Sequence, residues 1–321
     1  MSRPTVTVAI PVLNGGELLI GTLAAIRAQR VDADVEVLVS DSGSTDGSAK
    51  RAREYDARVI EIDRSAFSHG ATRNLLLAEA QGSHVALLTQ DAAPADENWL
   101  AQMLGGFEQA ADVALVYGPY RARPGASPAV RRELDRWFGS LAAGVERLGP
   151  DERDLSPVDL MGRRGFFSDA NSCIARSAWE RVPFRDIAYA EDRALALDML
   201  RAGYAKVYEP RAAVLHSHDY RAGQRFRRAF DESRGVREVY GWREPATPRY
   251  LVSQVRGELG ALRREGAGLV TVALAARDQL IRLAGAVLGA RSDWLPIAVE
   301  RRCSLEGTAA SRRPRDRAAR S

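Results

Sequence analysis

Carboxylates follow two apolar strands that the sequence predicts near its beginning. The strand predicted over residues 35–39 is followed by Ser40, Asp41 and Ser42, and the strand over residues 84–88 is followed by Thr89, Gln90 and Asp91. A carboxylate at the end of a buried strand is costly unless something uses it. Asp41 is suited to accept hydrogen bonds from a ribose or a base, and Asp91 to hold a divalent cation that also binds substrate phosphates. The alternative interpretation is an ordinary turn at each strand end.

A second pair of acids, Glu191 and Asp192, opens a predicted helix. Either carboxylate is suited to act as a general base that takes a proton from a hydroxyl group. We expect the helix N-terminus to lower the pKa of such a carboxylate, so that positioning must supply much of its effect. Plain capping of the helix is the alternative.

Two further segments carry groups that bind metals or anions. His216 and His218, two of the four histidines, lie two residues apart after a predicted strand. A single histidine is usually structural, and this pairing makes a ligand role the alternative. In residues 67–74 (FSHGATRN), Gly70 permits close approach of the backbone and the helix start attracts anions. Arg73 is placed to reach a diphosphate, and a capped helix with a surface arginine is the alternative.

The elements that must position these residues alternate between strand and helix. Strands are predicted over residues 5–10, 35–39, 59–62 and 84–88, with helices between them. This order predicts an α/β fold with a mostly parallel sheet that is flanked by helices. The loops after parallel strands meet at one edge, which brings Asn14, Asp41 and Asp91 together. Farther along, residues 129–145 have the apolar spacing of one helix.

Taken together, these motifs resemble the family 2 glycosyltransferases with the GT-A (Rossmann-like) fold, and within them the rhamnosyltransferase-like group. The resemblance covers roughly residues 4–306, and the order and spacing of the motifs carry it. The motifs are residues 11–14 (PVLN), 41–46 (DSGSTD), 67–74 (FSHGATRN), 89–91 (TQD), 191–192 (ED) and 216–220 (HSHDY).

The resemblance implies a role for each motif. It implies that Asp192 is the catalytic base, with Glu191 as the alternative, and that Asp169 and Asn171 lie at the sugar and acceptor. For Asp169, a simple turn is an equal alternative. It also implies a Mn²⁺ or Mg²⁺ ion on Asp91 and His216, with His218 as the rival ligand. Thr89 replaces the first acid of the family's Asp-x-Asp motif. The residues that the resemblance places at the donor nucleotide are Pro11, Asn14, Asp41, Ser42, Arg73, Gln90 and Asp91.

The remaining sequence predicts the domain organisation. We expect a catalytic domain over residues 1–242, a helical C-terminal extension over 243–303 and an arginine-rich flexible tail over 304–321. The apolar stripes of residues 249–290 fit packing on protein, and the arginines among them leave docking on an anionic membrane as the alternative. A net charge of +4 does not argue for nucleic acid, and we expect none as a partner.

These observations predict an inverting glycosyltransferase. The expected donor is dTDP-L-rhamnose, and the expected acceptor is a saccharide, free or lipid-linked, in the synthesis of cell-surface polysaccharide or glycolipid. A UDP-sugar donor and a catalytically weak nucleotide-sugar-binding scaffold are the alternatives. No signal peptide is visible in residues 1–16, so we expect a cytoplasmic protein, and a position at the inner face of the plasma membrane stays open. The sequence leaves a homo-oligomer open as well.

Overall fold

A computed structural model describes residues 5–306 of the chain. Those residues form two compact units. The first contains the chain up to Asp186 together with Glu191–Asp219, and the second contains Ile187–Ala190 together with the chain from Tyr220. The domain boundaries predicted from the sequence stay predictions. Most of the predicted tail, residues 307–321, lies outside the described residues.

The strands and helices are numbered in chain order. The strands are β1 (Thr5–Val12), β2 (Asp34–Asp41), β3 (Arg58–Glu61), β4 (His84–Leu88), β5 (Ala93–Pro94), β6 (Val113–Tyr117), β7 (Tyr120–Arg121), β8 (Gly144–Glu146), β9 (Asn171–Ala175), β10 (Ala205–Tyr208) and β11 (Val214–Leu215). The helices are α1 (Gly16–Arg27), α2 (Ser48–Glu54), α3 (His69–Glu79), α4 (Trp99–Phe107), α5 (Pro128–Phe138), α6 (Arg176–Trp179), α7 (Glu191–Arg201), α8 (Ala222–Tyr240), α9 (Pro248–Arg264), α10 (Leu269–Gly289) and α11 (Ile297–Cys303).

The first unit is built on an eight-stranded sheet in the order β3-β2-β1-β4-β9-β6-β10-β8. Strands β1 to β4 pair in parallel, as the alternation of strands and helices predicted. Apolar side chains on both faces of β1 are buried, Val8 and Ile10 on one face and Ala9 on the other. Such two-sided burial is what a parallel sheet covered by helices requires. The predicted α/β fold is confirmed.

Two features of the sheet depart from the parallel pattern. Strand β9 runs antiparallel between β4 and β6, and β8 runs antiparallel to β10. The helix predicted over residues 129–145 was too long, because α5 ends at Phe138 and β8 follows it. Gly144 begins β8 with a φ of +106°, a backbone conformation that favours glycine and that no helix contains.

A small second sheet in the same unit has the order β5-β11-β7. Strand β11 pairs antiparallel with β5 and parallel with β7, and each of the three strands has only two residues. The segment that follows β11 carries His216 and His218. This sheet therefore fixes the start of the histidine segment beside the chain that follows β4.

The second unit consists mainly of helices α8 to α11, so the predicted helical C-terminal region is confirmed. Helix α10 packs closely along α8, because Gly285 and Gly289 leave room for the carbonyl oxygens of Phe226 and Phe230. Asp231 on α8 is fully buried and accepts a hydrogen bond of 2.6 Å from the hydroxyl of Ser304, which fixes the chain beyond α11. Within residues 5–306, no helix is long and apolar enough to cross a membrane.

Candidate active site

Three loops at the carboxyl ends of β1, β2 and β4 are tied together by side chains. The Gln90 amide accepts a hydrogen bond from Leu13 N (2.9 Å) and donates one to Leu13 O (3.2 Å). Asn14 N donates to Ser44 Oγ (2.8 Å), and Asn14 Oδ1 accepts from Thr45 N (2.9 Å). The structure thus brings together the loops that carry Asn14, Asp41 and Asp91, as the sheet-edge argument predicted. Contacts of Asn14 and Gln90 with a nucleotide stay predictions.

The two carboxylate oxygens of Asp41 differ, because one closes a turn and the other has no partner in the described part of the chain. Its Oδ1 accepts hydrogen bonds from Gly43 N (3.0 Å) and Ser44 N (2.9 Å), which is the ordinary turn at a strand end. Its Oδ2 is buried, and within residues 5–306 it has no hydrogen-bond partner. Ser42, by contrast, donates its hydroxyl to Val12 O (2.9 Å). Pro11, half-buried, lies in β1 opposite Ser40. Of these residues, Asp41 is the one with a buried acceptor left for a ligand.

Asp91, His216 and His218 converge on one point. The Nδ1 atom of His216 lies 3.4 Å from Asp91 Oδ1, and the Nε2 atom of His218 lies 3.4 Å from Asp91 Oδ2. One potential ligand atom from each of the three residues lies within 4.8 Å of the other two. The ring of Tyr120, at the start of β7, packs edge-on against His216 with 5.0 Å between centroids and so orients it. The sequence left a choice between the two histidines, and the structure places both beside Asp91.

The donor set of this cluster fits a divalent transition metal ion. It offers one carboxylate and two imidazoles, and mixed nitrogen and oxygen ligands suit Mn²⁺ better than Mg²⁺. The buried Nδ1 of His216 has no hydrogen-bond partner within the described chain. Burial acts to raise the pKa of Asp91, but the neighbouring His216 and His218 lower it well below its ordinary value.

Arg123 is a member of this cluster that the sequence analysis missed. Its Nη2 lies 3.2 Å from Asp91 Oδ2 and also donates to the backbone oxygen of Asp91. Its Nη1 donates to Ser217 O (3.0 Å), and its backbone N–H donates to Ser217 Oγ (3.1 Å). Arg123 lies two residues after β7, so the pairing of β7 with β11 brings it here. A two-residue strand leaves no periodic pattern, and no sequence signal pointed to it.

A second cluster surrounds Arg73, which is 4% exposed. Its guanidinium contacts Asp169 through Nε and through Nη2, the latter at 3.0 Å, and contacts Glu191 Oε1 through Nη1 at 3.0 Å. Arg73 is thus not the surface residue of the alternative interpretation. Its partners here include these two carboxylates and the backbone oxygen of His69 (3.1 Å), so its predicted contact with a donor diphosphate stays a prediction.

The base predicted from the sequence, Asp192, lies beside this cluster at the first turn of α7. Burial and then the charge of Glu191 raise the pKa of Asp192 above its ordinary value. The position at a helix N-terminus predicted a lowered pKa, and burial beside a second carboxylate outweighs that effect. Burial also raises the pKa of Asp169, whereas Arg73 offsets burial at Glu191 and lowers the pKa there. A raised pKa makes Asp192 a stronger base than an exposed aspartate.

Asn171 is fully buried in β9. Its amide donates to Pro119 O (3.1 Å) and to Ala212 O (2.9 Å), and it accepts from Trp99 Nε1 (2.8 Å). These bonds join β9 to two neighbouring loops and to α4. They support an architectural role, and the predicted contact of Asn171 with a sugar stays a prediction.

Comparison with known proteins gives these features a family. The chain matches the family model of glycosyl transferase family 2 over residues 7–170, about half of its length. This chain belongs to glycosyl transferase family 2. The glycosyltransferase predicted from the motifs is confirmed.

The O-antigen chain rhamnosyltransferase WbaN of Salmonella anatum is 32% identical over 232 residues, which cover 71% of each protein. The O-antigen chain rhamnosyltransferase RfbN of Salmonella typhimurium is 31% identical, with 70% of each protein covered.

Solved structures agree on the fold of this glycosyltransferase. The mannosyltransferase PcManGT from Pyrobaculum calidifontis, in complex with GDP-Man and Mn²⁺, superposes with a TM-score of 0.59 at 20% identity, covering 90% of this chain and 88% of that one. Residues 1–349 of S. aureus TarS give a TM-score of 0.51 at 12% identity, covering 90% and 91%. The GT-A fold implied by the sequence motifs is confirmed.

Proposed function

We propose that this glycosyltransferase moves L-rhamnose from dTDP-L-rhamnose onto a saccharide acceptor, with inversion at the anomeric carbon, in the synthesis of a cell-surface polysaccharide. The relatives that are about one-third identical over most of their length are O-antigen rhamnosyltransferases, which supports this sugar and this pathway class. A nucleotide-sugar donor is supported above all by one observation: Asp91, His216 and His218 converge at the carboxyl edge of the sheet.

The donor would bind at the joined loops after β1, β2 and β4. The free Oδ2 of Asp41 is an acceptor for a hydroxyl of the sugar or an N–H of the base. Asp91, His216 and His218 would hold a divalent cation, which neutralises the negative charge of a diphosphate leaving group when it is bound. Replacement of the first acid by Thr89 leaves a site of one carboxylate and two imidazoles, and this favours Mn²⁺ over Mg²⁺.

Asp192 would act as the general base. The acceptor hydroxyl oxygen forms a bond to the anomeric carbon of the donor, the bond from that carbon to the diphosphate oxygen breaks, and the hydroxyl proton passes to Asp192. One displacement from the face opposite the leaving group gives inversion, and no covalent enzyme intermediate is needed. The ion pairs of Arg73 with Asp169 and Glu191 would hold the start of α7, and with it Asp192, in position.

A contact with an anionic membrane surface is the second part of the proposal. At the start of α10, immediately after the turn that follows α9, Leu269 and Val270 are 88% and 75% exposed. Arg263 and Arg264 lie in the last turn of α9, shortly before them in the chain, and both are exposed. Exposed apolar side chains can enter the hydrocarbon region of a bilayer, and arginines close to them in the chain can bind its anionic headgroups. This turn would bring the enzyme to a lipid-linked acceptor.

A panel of nucleotide-sugars tests the donor. The purified protein with Mn²⁺ is incubated with dTDP-L-rhamnose, UDP-hexoses and GDP-mannose, and release of the nucleoside diphosphate is measured by chromatography. The proposal expects the fastest release from dTDP-L-rhamnose and a loss of release in Asp91→Asn. Faster release from a UDP-sugar would keep the transferase and overturn the rhamnose donor.

A further inference from the structure

Arg123 places a permanent positive charge inside the cluster of Asp91, His216 and His218. Its Nη2 lies 3.2 Å from Asp91 Oδ2, the same oxygen that faces His218 Nε2 at 3.4 Å. The side chains of Asp91 and Arg123 are only 13% and 21% exposed, so solvent screens this pair incompletely. An arginine cannot lose its charge at any physiological pH. The negative charge of the carboxylate that would bind a metal ion is therefore already balanced by the positive charge of Arg123.

The charge of the cluster follows from its members. With neutral imidazoles, the single negative charge of Asp91 is cancelled by Arg123. A divalent cation that enters this site meets one compensated carboxylate and a neighbouring guanidinium that repels it. A nucleoside diphosphate supplies the negative charge that the protein itself does not offer.

The anchoring of Arg123 does not depend on the carboxylate. It donates to the backbone oxygens of Asp91 and Ser217, and its own N–H is held by Ser217 Oγ. These contacts would keep the guanidinium at the site if the carboxylate bound a metal ion. A guanidinium also carries more N–H groups than these contacts use, which leaves donors for phosphate oxygens.

We propose that Arg123 makes metal binding conditional on the donor: it keeps the affinity of the free protein for Mn²⁺ low and favours the metal ion only together with a nucleoside diphosphate. This inference rests on the proposed nucleotide-sugar site. Because binding couplings are reciprocal, the same factor by which dTDP tightens Mn²⁺ is the factor by which Mn²⁺ tightens dTDP. The role concerns binding, so it can be measured without turnover.

The test is a Mn²⁺ titration followed by electron paramagnetic resonance of the free ion, with and without dTDP. In the wild-type protein we expect weak binding of Mn²⁺ alone and at least about tenfold tighter binding with saturating dTDP, a coupling of ordinary size. In Arg123→Gln we expect Mn²⁺ alone to bind about tenfold more tightly and the effect of dTDP to shrink to less than about threefold. A thermal denaturation curve verifies that the variant is folded.

One further variant separates the charge of Arg123 from its hydrogen bonds, and another serves as a control. Arg123→Lys keeps the positive charge but loses the planar fork, so the affinity for Mn²⁺ alone should stay as low as in the wild type. Arg147→Gln removes an exposed arginine that pairs with Asp112, and it should behave as the wild type.

The outcomes are distinguishable. If Arg123→Gln binds Mn²⁺ alone no more tightly than the wild type, or less tightly, while dTDP still enhances binding, the inference is overturned and the nucleotide-sugar site stands. If the wild-type protein binds Mn²⁺ neither alone nor with dTDP, the proposed function fails and the inference falls with it. If Arg123→Gln proves unstable, Arg123→Lys becomes the deciding variant. A higher affinity of Arg123→Lys for Mn²⁺ alone would contradict the role of the charge.

Discussion

Arg73 and Glu191 form a buried ion pair, with 3.0 Å between Nη1 and Oε1, immediately before the carboxylate proposed as the catalytic base. The same guanidinium holds Asp169, which is distant in sequence, so one side chain joins α3, the segment before β9 and the start of α7. Loss of this arginine would leave two carboxylates buried without their common partner. The pair therefore links the stability of the first unit to the position of Asp192.

Replacement of Arg73 by methionine should destabilise the protein. Breaking a buried ion pair by removing one partner costs about 3–5 kcal/mol, because the other charge stays buried and uncompensated. The measurement is the free energy of unfolding in urea, with Arg147→Gln as a control that removes an exposed pair and should cost about 1 kcal/mol or less. Equal losses for the two variants would show that the Arg73 pairs contribute little.

The charge of Glu191 should be visible in the pH dependence of transfer. Asp192 acts as a base only when ionised, so kcat/KM falls as the pH falls through its raised pKa. Because Glu191 contributes to that rise, Glu191→Gln should lower the pKa of Asp192 and move the acid limb to lower pH. Glu180→Gln, which removes an exposed carboxylate paired with Arg176, should leave the limb in place. An acid limb that stays at the wild-type pH in Glu191→Gln would contradict this contribution of Glu191 to the pKa of Asp192.

Removal of the metal ligands should abolish stabilisation by nucleotide. In the wild-type protein, dTDP and Mn²⁺ at about 100 times the dissociation constant add about 2.7 kcal/mol to the free energy of unfolding. Treatment with EDTA, or the change Asp91→Asn, should remove most of this gain, and His218→Ala should reduce it. The measurement is the shift of the thermal midpoint with ligand. An undiminished shift in Asp91→Asn would place the diphosphate elsewhere.

The turn between α9 and α10 should be needed for binding to anionic vesicles. Leu269→Glu combined with Val270→Glu places two charges where apolar side chains are 88% and 75% exposed, and should abolish co-sedimentation with phosphatidylglycerol vesicles. Leu280→Glu, on the same helix and 57% exposed, is the matched control and should still bind. Equal binding to phosphatidylcholine vesicles would show that anionic headgroups are not needed. A wild-type dimer that the double variant dissociates would show that this surface binds a second copy of the chain instead.

The sequence predicted those parts of the site that depend on local pattern. Asp41 and Asp91 follow β-branched or apolar strands, and the geometry of parallel sheets alone brings their loops to one edge. The acid pair at 191–192 and the two histidines at 216 and 218 stood out by residue type and position, and the family motifs then gave Asp192 and His216 their expected roles. The sequence did not predict that His216 and His218 both lie beside Asp91, because the backbone after β11 is no longer a regular strand.

Other parts of the site were invisible in the sequence for physical reasons. Asp169 lies 96 residues from Arg73, so nothing local indicates that this arginine is buried between carboxylates. Arg123 depends on the pairing of two-residue strands, which are too short to show a period. The end of α5 was missed because apolar spacing continues past Phe138, whereas the positive φ of Gly144 and the pairing of β8 decide the chain's course.

The most direct test of the account is release of dTDP from dTDP-L-rhamnose by the wild-type protein and by Asp192→Asn, with Mn²⁺ and a saccharide acceptor. We expect Asp192→Asn to lower kcat by about 10²–10⁴ and to bind dTDP as the wild-type protein does. We also expect the wild-type product to have the anomeric configuration opposite to that of the donor. Asp198→Asn on the same helix is the control. Turnover near the wild-type rate in Asp192→Asn, or a product with retained configuration, would contradict it.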